Sequence, residues 1–335
     1  MEGKRLIKIE DVPVGVIVPM YNAERTVRAT LESVCRQTYS ALDIIVVDDG
    51  STDASASIVE SHARRDPRIR LLRQENGGVA AARNLGAAST GAEFLAFVDA
   101  DDLWAPTKIA QQLTVLQQGG PIAGFAYCWF AQIDAESRVY SLNNRPLVEG
   151  WVLQTMCRNN FVGNGSSMML RRTAFDAAGG FDPSLRARKA QGCEDMLMCL
   201  RVAEQFEFRV VPQFLVGYRI TNTNMSSDVQ QMLRSCEIVF AEFREKYPEL
   251  RTALDAHLVD MLQWLVVRAL VGGRIPAASE LLRRLGTLEP RFALSRLPGM
   301  LDTYCRARLV PRWAKNGWRR LSGAQPRPPY EEMAW

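Results

Sequence analysis

The sequence predicts an α/β fold: a mostly parallel sheet flanked by helices and followed by a C-terminal helical extension. Three observations predict it. Short apolar runs rich in branched residues alternate with helical patterns through the first third of the 335-residue chain. Those runs are continuously apolar rather than alternating, which is how strands covered on both faces read. From about Asp228 onward the pattern turns helical, with Val259, Leu262, Leu265, Val266 and Ala269 forming one stripe.

The elements follow in order. Val14 to Val18 is a short apolar run closed by Pro19, and residues 24 to 38 show helical spacing through Val27, Leu31 and Val34, with Asn22 as a candidate cap. Ile44 to Val47 is a second strand. Ser51, Thr52 and Asp53 supply N-cap chemistry for a helix through about Arg65. Ile69 to Leu72 is a third strand, followed by Gly77-Gly78 and an alanine-rich helix to about Ala88. Phe94 to Val98 is the fourth, and Pro106 marks the first turn of another helix. The stretch from 120 to 225 is less regular, with a strand pattern from Phe208 to Ile220 broken by Pro212.

Ligands of parallel sheets bind outside the carboxyl ends of the strands. Here every strand empties polar, mostly acidic groups onto that edge: Pro19 to Asn22, Asp48 to Ser51, Gln74 to Asn76, and Asp99 to Asp101. One rim of the sheet is therefore the expected site. Composition narrows its chemistry. A net charge of +4 is too modest to argue for nucleic acid, and no nucleic-acid motif accompanies it. Only His62 and His257 occur, far apart and each in a helical pattern, which disfavours His-rich zinc sites and a Ser-His-Asp hydrolase and reads as surface or helix-face residues. Seven cysteines without metal spacing and the lack of a signal-peptide pattern suggest reduced thiols in a cytoplasmic protein. No apolar stretch is long enough to span a membrane.

A D-x-D triplet is expected about once by chance in a chain with this many aspartates. What distinguishes Asp99-Ala100-Asp101 is its place at a strand end on the acidic rim. Hard divalent cations such as Mn²⁺ or Mg²⁺ take oxygen ligands, commonly one or two carboxylates plus substrate phosphates. The competing reading is that Asp101 and Asp102 cap the helix near Pro106, a task that suits Asp102 better. Asp48 and Asp49 could cap the helix after Ser51, but Ser51 and Asp53 already serve it. Gly77-Gly78 resembles an anion-accepting turn yet lacks the phosphate-loop lysine.

The segments "VPMYNAERTVRATLESVCRQT", "IIVVDDGSTD", "ENGGVAAARNLG" and "FVDADD", continuing through "GSSMMLRRTAFDAAGGFD" and "GCEDMLMCLRVAE", resemble in order and spacing the family 2 glycosyltransferases of GT-A, Rossmann-like fold. The resemblance covers about residues 12 to 225, and relatives that make bacterial surface polysaccharides are the expected neighbours. It implies inverting transfer from a nucleotide-diphospho-sugar, with a UDP-sugar favoured, to a glycan or lipid-linked saccharide. It puts Pro19, Tyr21 and Glu24 against the nucleoside, with Asp49 or Asp48 on the base. Asn76 and Arg83 would line the nucleotide pocket, Asp99 and Ala100 the ribose or sugar side. Asp101 would bind the metal bridging the diphosphate, and Asp195 would be the general base. Glu194-Asp195 also reads as a helix N-terminus, where acids offset the macrodipole. One departure is Thr221, where the family often has histidine; water in the metal shell or Arg219 on the diphosphate would compensate. Two rivals are a non-catalytic nucleotide-sugar-binding scaffold and a sugar nucleotidyltransferase, the latter lacking its basic triphosphate loop.

The expected organisation is a GT-A domain over 1–227, with a nucleotide-sugar half at about 12–118 and an acceptor half at about 119–227. A helical extension over 228–325 and a disordered tail over 326–335 complete it. Residues 306 to 327 carry seven basic side chains, no acidic ones, and Trp313 and Trp318. This stretch reads either as a solvated helical face or as peripheral membrane contact at the inner leaflet, near a lipid-linked acceptor.

Overall fold

A computed structural model of the chain describes residues 12–221, 224–289 and 329–333. Its first half is built from β1 (Val14–Met20), α1 (Val27–Cys35), β2 (Leu42–Asp48), α2 (Ser55–Ala63), β3 (Ile69–Arg73), α3 (Val79–Ala88) and β4 (Phe94–Phe97). These four strands run parallel in the order β3-β2-β1-β4, with Ile17 level with Ile45 on one side and Phe97 on the other. Every residue of β1 is buried, which is why its sequence is continuously apolar. Helix α3 lies so close to β1 that a Cβ on Gly86 would stand 2.6 Å from Ile17 Cγ2.

The sheet continues through β8 (Met168–Arg171), β6 (Ala123–Ile133), β9 (Glu207–Arg219) and β5 (Leu103–Trp104), with β7 (Val139–Leu142) beside β6. Strand β8 is antiparallel to both of its neighbours, β4 and β6, whereas β6 and β9 pair in parallel. Helices α4 (Lys108–Gln118), α5 (Leu153–Arg158), α6 (Arg172–Ala177), α7 (Ser184–Ala187) and α8 (Glu194–Ala203) link these strands. Pro212 does not end β9. The register with β6 jumps from Val211 to Phe214, so the proline and Gln213 bulge out exposed, where no ladder donor is needed.

Two main clusters form the core, one on each face of the sheet. The second of them packs α1, α2 and α4; the first takes α3, α6 and α8 and extends into α9 (Val229–Lys246), α10 (Arg251–Val271) and α11 (Ile275–Leu288). Of the stripe on α10, Leu262, Leu265, Val266 and Ala269 are fully buried. Both histidines are buried rather than on the surface, because each sits where its helix meets the core.

Residues 329–333 differ from the disordered tail expected there. Pro329 pairs with Arg138, Tyr330 is only 1% exposed, and Glu331 meets Arg36 at 2.6 Å. The buried Tyr330 ring, packed over Gly217, anchors a segment that looked featureless in sequence. The basic stretch from 306 to 327 lies outside the described residues. Among the described residues, no helix is long and apolar enough to cross a membrane.

Candidate active site

The carboxyl ends of β1, β2 and β4 carry the acidic groups. After β1, Pro19 and Met20 are buried in the strand and Tyr21 emerges 54% exposed. Asn22, at φ 48°, donates its N–H to Ser51 Oγ and accepts from the Thr52 N–H through Oδ1, so it staples the β1 loop to the β2 loop instead of capping α1. Glu24 makes a second staple, its Oε2 accepting from Ala54 N and its N–H donating to Asp53 Oδ2. Asp53 Oδ1 accepts from Ser55 N just ahead of α2, whose N-cap position is Ala54.

Asp48 and Asp49 are both buried and both occupied. Asp48 Oδ1 accepts from Ser51 N at 2.9 Å. Asp49 Oδ1 accepts from Gly77 N and Gln74 Nε2, each at 2.7 Å, and Oδ2 from Gly78 N at 2.8 Å. Asn76 Nδ2 closes the same loop onto the Asp49 carbonyl. The Gly77-Gly78 turn thus accepts an anion, but that anion is the chain's own carboxylate. Two carboxylate oxygens offer about four lone-pair directions, so Asp49 keeps acceptor capacity beyond its three donors.

Beyond β4, the triplet divides its work. Arg83, buried on α3, donates from a terminal nitrogen to Asp99 Oδ1 at 2.6 Å and stacks over Phe181. Gly165 leaves the room, since a Cβ there would lie 2.6 Å from that nitrogen. Ala100 is buried. Asp101 forms no ion pair among the described residues; burial, and then the neighbouring Asp99, push its carboxyl up to about 7. Asp102 does not cap α4, whose N-cap is Thr107. It is fully buried, accepting from Ser166 Oγ at 2.5 Å and from Arg219 N at 2.8 Å. Burial raises its pKa well above the ordinary value, with Asp101 and Asp99 adding to the shift.

Ser166 was invisible in the sequence pattern. Its hydroxyl accepts from Asp99 N and donates to Asp102, holding the triplet's backbone from the 165–167 turn. The only sequence hint was its place in the Gly-Ser-Ser run. Arg219 is committed to the backbone and not open to a diphosphate. Four donations go to the carbonyls of Asp101 (2.7 Å), Asp134 and Ala135 and to Ser137 Oγ. Thr221 turns onto Asn224 Oδ1 through its N–H and hydroxyl.

Helix α8, which packs on the same face of the sheet as α3, begins with Glu194 and Asp195. Asp195 Oδ1 accepts from Met196 N at 2.8 Å. Burial raises its pKa most; Arg83 works against the rise and Asp99 with it, so Arg83, Asp99 and Asp195 share one electrostatic environment. Glu194 is also buried and raised, with Oε2 on Gly192 N. The structure therefore brings Arg83, Asp99, Asp101 and Asp195 together, and leaves Tyr21, Asn76 and Asp49 on the neighbouring loops.

For a cation, the donor set fits a site shared with a ligand. Arg83 neutralises Asp99, whereas Asp101 has no ion-pair partner among the described residues. Nor does any group of three His, Cys, Asp or Glu side chains among them form a protein-only cage. One or two carboxylates completed by phosphate oxygens is the way Mg²⁺-like ions are commonly held.

A family model described as glycosyl transferase family 2 matches residues 15–179. The glycosyltransferase EpsJ of Bacillus subtilis is 38% identical over 127 residues, covering 38% of this chain and 36% of EpsJ. GlyA of Streptococcus pneumoniae is 46% identical over 92 residues, covering 28% of this chain and 13% of GlyA. The chain thus spans about a third of the length of EpsJ, and less of GlyA. Among solved structures, S. aureus TarS 1-349 in complex with UDP-GlcNAc has a TM-score of 0.62 at 15% identity, covering 92% of each chain. The mannosyltransferase PcManGT from Pyrobaculum calidifontis, with GDP-Man and Mn²⁺, has a TM-score of 0.59 at 20% identity, covering 93% of this chain and 88% of that one. The curled, mostly parallel sheet with its helical continuation matches these GT-A structures.

Proposed function

We propose that this chain, whose residues 15–179 match the model of glycosyl transferase family 2, transfers a sugar, with inversion, from a nucleotide-diphospho-sugar to a saccharide acceptor, free or lipid-linked. The observation that carries the reading is the meeting of Arg83–Asp99, Asp101 and Asp195 on one rim of the sheet. A UDP-sugar is the favoured donor, in keeping with the nucleotide sugar that TarS binds.

Inversion requires attack on the anomeric carbon from the face opposite the leaving diphosphate. Asp195 stands on the attacking side: with Oδ1 held by Met196 N, Oδ2 takes the proton of the acceptor hydroxyl as the new glycosidic bond forms. Burial raises the pKa of this carboxylate, which makes it a stronger base. Arg83 fixes Asp99, so that Asp99 can orient the ribose or sugar while Asp101 faces the diphosphate. Asp101, with Asp99 beside it, would hold a divalent cation, Mn²⁺ or Mg²⁺, which when bound supplies the positive charge that neutralises the departing diphosphate. The Gly77-Gly78 turn, Asn76 and the Tyr21 ring frame the nucleoside side.

The test separates transfer from binding. Asp195→Asn is expected to keep its affinity for the nucleotide-sugar while transfer falls roughly 10²- to 10⁴-fold, and the wild-type product carries the opposite anomeric configuration by NMR. Undiminished transfer by the variant, or retained configuration, would remove the mechanism.

A further inference from the structure

We infer that residues 329–333 are a latch that positions the Asp101–Asp102 segment from behind, making Tyr330 a positioning residue for the donor site. Four observations converge on this. Tyr330 is fully buried against β9, where its ring occupies the space in front of Gly217: a Cβ there would lie 3.0 Å from Tyr330 Cγ. Gly217 pairs directly with Leu103, the residue after Asp102. Tyr330 N donates to Ser137 O at 2.9 Å, and Pro329 pairs with Arg138, so the segment grips the turn between β6 and β7. That turn receives the Arg219 guanidinium through Asp134 O, Ala135 O and Ser137 Oγ.

Arg219 connects the grip to the chemistry. Its Nε donates to Asp101 O and its backbone N–H to Asp102 Oδ1. A continuous path therefore runs from Tyr330 through the Ser137 turn and Arg219 to the segment that carries Asp101, the carboxylate proposed to face the diphosphate. A second path runs through Gly217 and Leu103 to the same segment. Glu331 pins the outer side on Arg36, while Met333 packs beside it on the core. The latch acts on the backbone that carries Asp101, and small misplacements of such groups are costly because orientation is what the site supplies.

This assignment rests on the proposed donor site, so its test reads the free protein as well as the bound one. Amide hydrogen exchange and calorimetric UDP binding with Mn²⁺ are measured on the wild type, Tyr330→Ala, Tyr330→Phe and Ser137→Gly. Ser137 has φ 62°, so glycine suits its backbone while removing the hydroxyl that holds Arg219. Tyr330→Ala is expected to speed exchange at the Trp104, Gly217 and Arg219 amides tenfold or more and to weaken UDP binding about tenfold. Exchange in α8 to α11 stays unchanged. Tyr330→Phe, which keeps the ring, recovers most of what Tyr330→Ala loses, and Ser137→Gly weakens binding several-fold. Wild-type exchange at those three amides in Tyr330→Ala overturns the latch, and so does an increase spread evenly over the whole chain. Locally raised exchange in a protein whose wild type binds no UDP would uphold the latch and remove the donor-site reading instead.

Discussion

Asp49 shows how a residue on a binding rim can be structural first. Its carboxylate satisfies the N–H groups of Gly77 and Gly78 together with the Gln74 amide. Asp49→Ala would leave those donors without a partner, at about 1–3 kcal/mol for a buried unsatisfied group. A urea melt should show that loss, and nucleotide affinity should fall with it as the turn loosens. The carboxylates themselves were legible in the sequence, since the residues just past each strand of a parallel sheet emerge on its carboxyl edge. Their division of labour was not. Asp102 looked like a helix cap because Pro106 lies four residues on, but Ser166 and Arg219, 64 and 117 residues away in sequence, claim both its oxygens. No local pattern reports such partners. Arg219 was misread for the same reason: its guanidinium serves carbonyls on a turn that only the folded chain brings near.

Helix α10 offers a prediction at the scale of elements. His257 joins it to the end of α5, with Nε2 accepting from Asn160 N at 3.2 Å, which leaves Nδ1 to donate to Cys157 O at 3.2 Å. Protonation would turn Nε2 into a donor facing a donor, and burial already lowers the pKa to about 4. The ordinary value near 6.5 applies to the unfolded chain. The unfolded state therefore takes the proton first as pH falls. The stability from this group is full above about pH 6.5 and is lost progressively down to pH 4, by up to about 3 kcal/mol. Urea midpoints at pH 7 and pH 5 should drop more for the wild type than for His257→Gln. Equal drops would contradict the assignment. Packing of α3 on β1 gives another. Gly86→Ala puts a Cβ 2.6 Å from Ile17 Cγ2, and such overpacking typically costs about 1–3 kcal/mol, visible as a lowered Tm. Strands β1, β2 and β4 were readable because burial on both faces makes them nearly continuously apolar, whereas the edge strand β3, with only Ile69 buried, showed through its branched residues. Strands β6 and β8 were not readable, although β6 is almost wholly buried. Their antiparallel and mixed pairings join segments far apart in sequence, and β5 is a two-residue strand that no periodicity can reveal.

Over the whole molecule, one sheet gathers the acidic rim, while the helices from α9 onward enlarge the core on one face. The architecture concentrates negative charge where β1, β2 and β4 end. Arg83 cancels part of it at Asp99 and leaves the rest on the other rim carboxylates, Asp101 among them. That residual charge is what a nucleotide diphosphate with its cation would complete. The most direct test is calorimetric titration with UDP, GDP and dTDP, each with Mn²⁺ and with chelator, on the wild type and on Asp101→Ala. The predicted result is binding of one nucleotide, UDP foremost, that needs the metal and weakens at least tenfold in the variant. Absence of binding by any of the three with Mn²⁺ present, or binding indifferent to both metal and Asp101, would contradict the assignment of the rim as a nucleotide-sugar site.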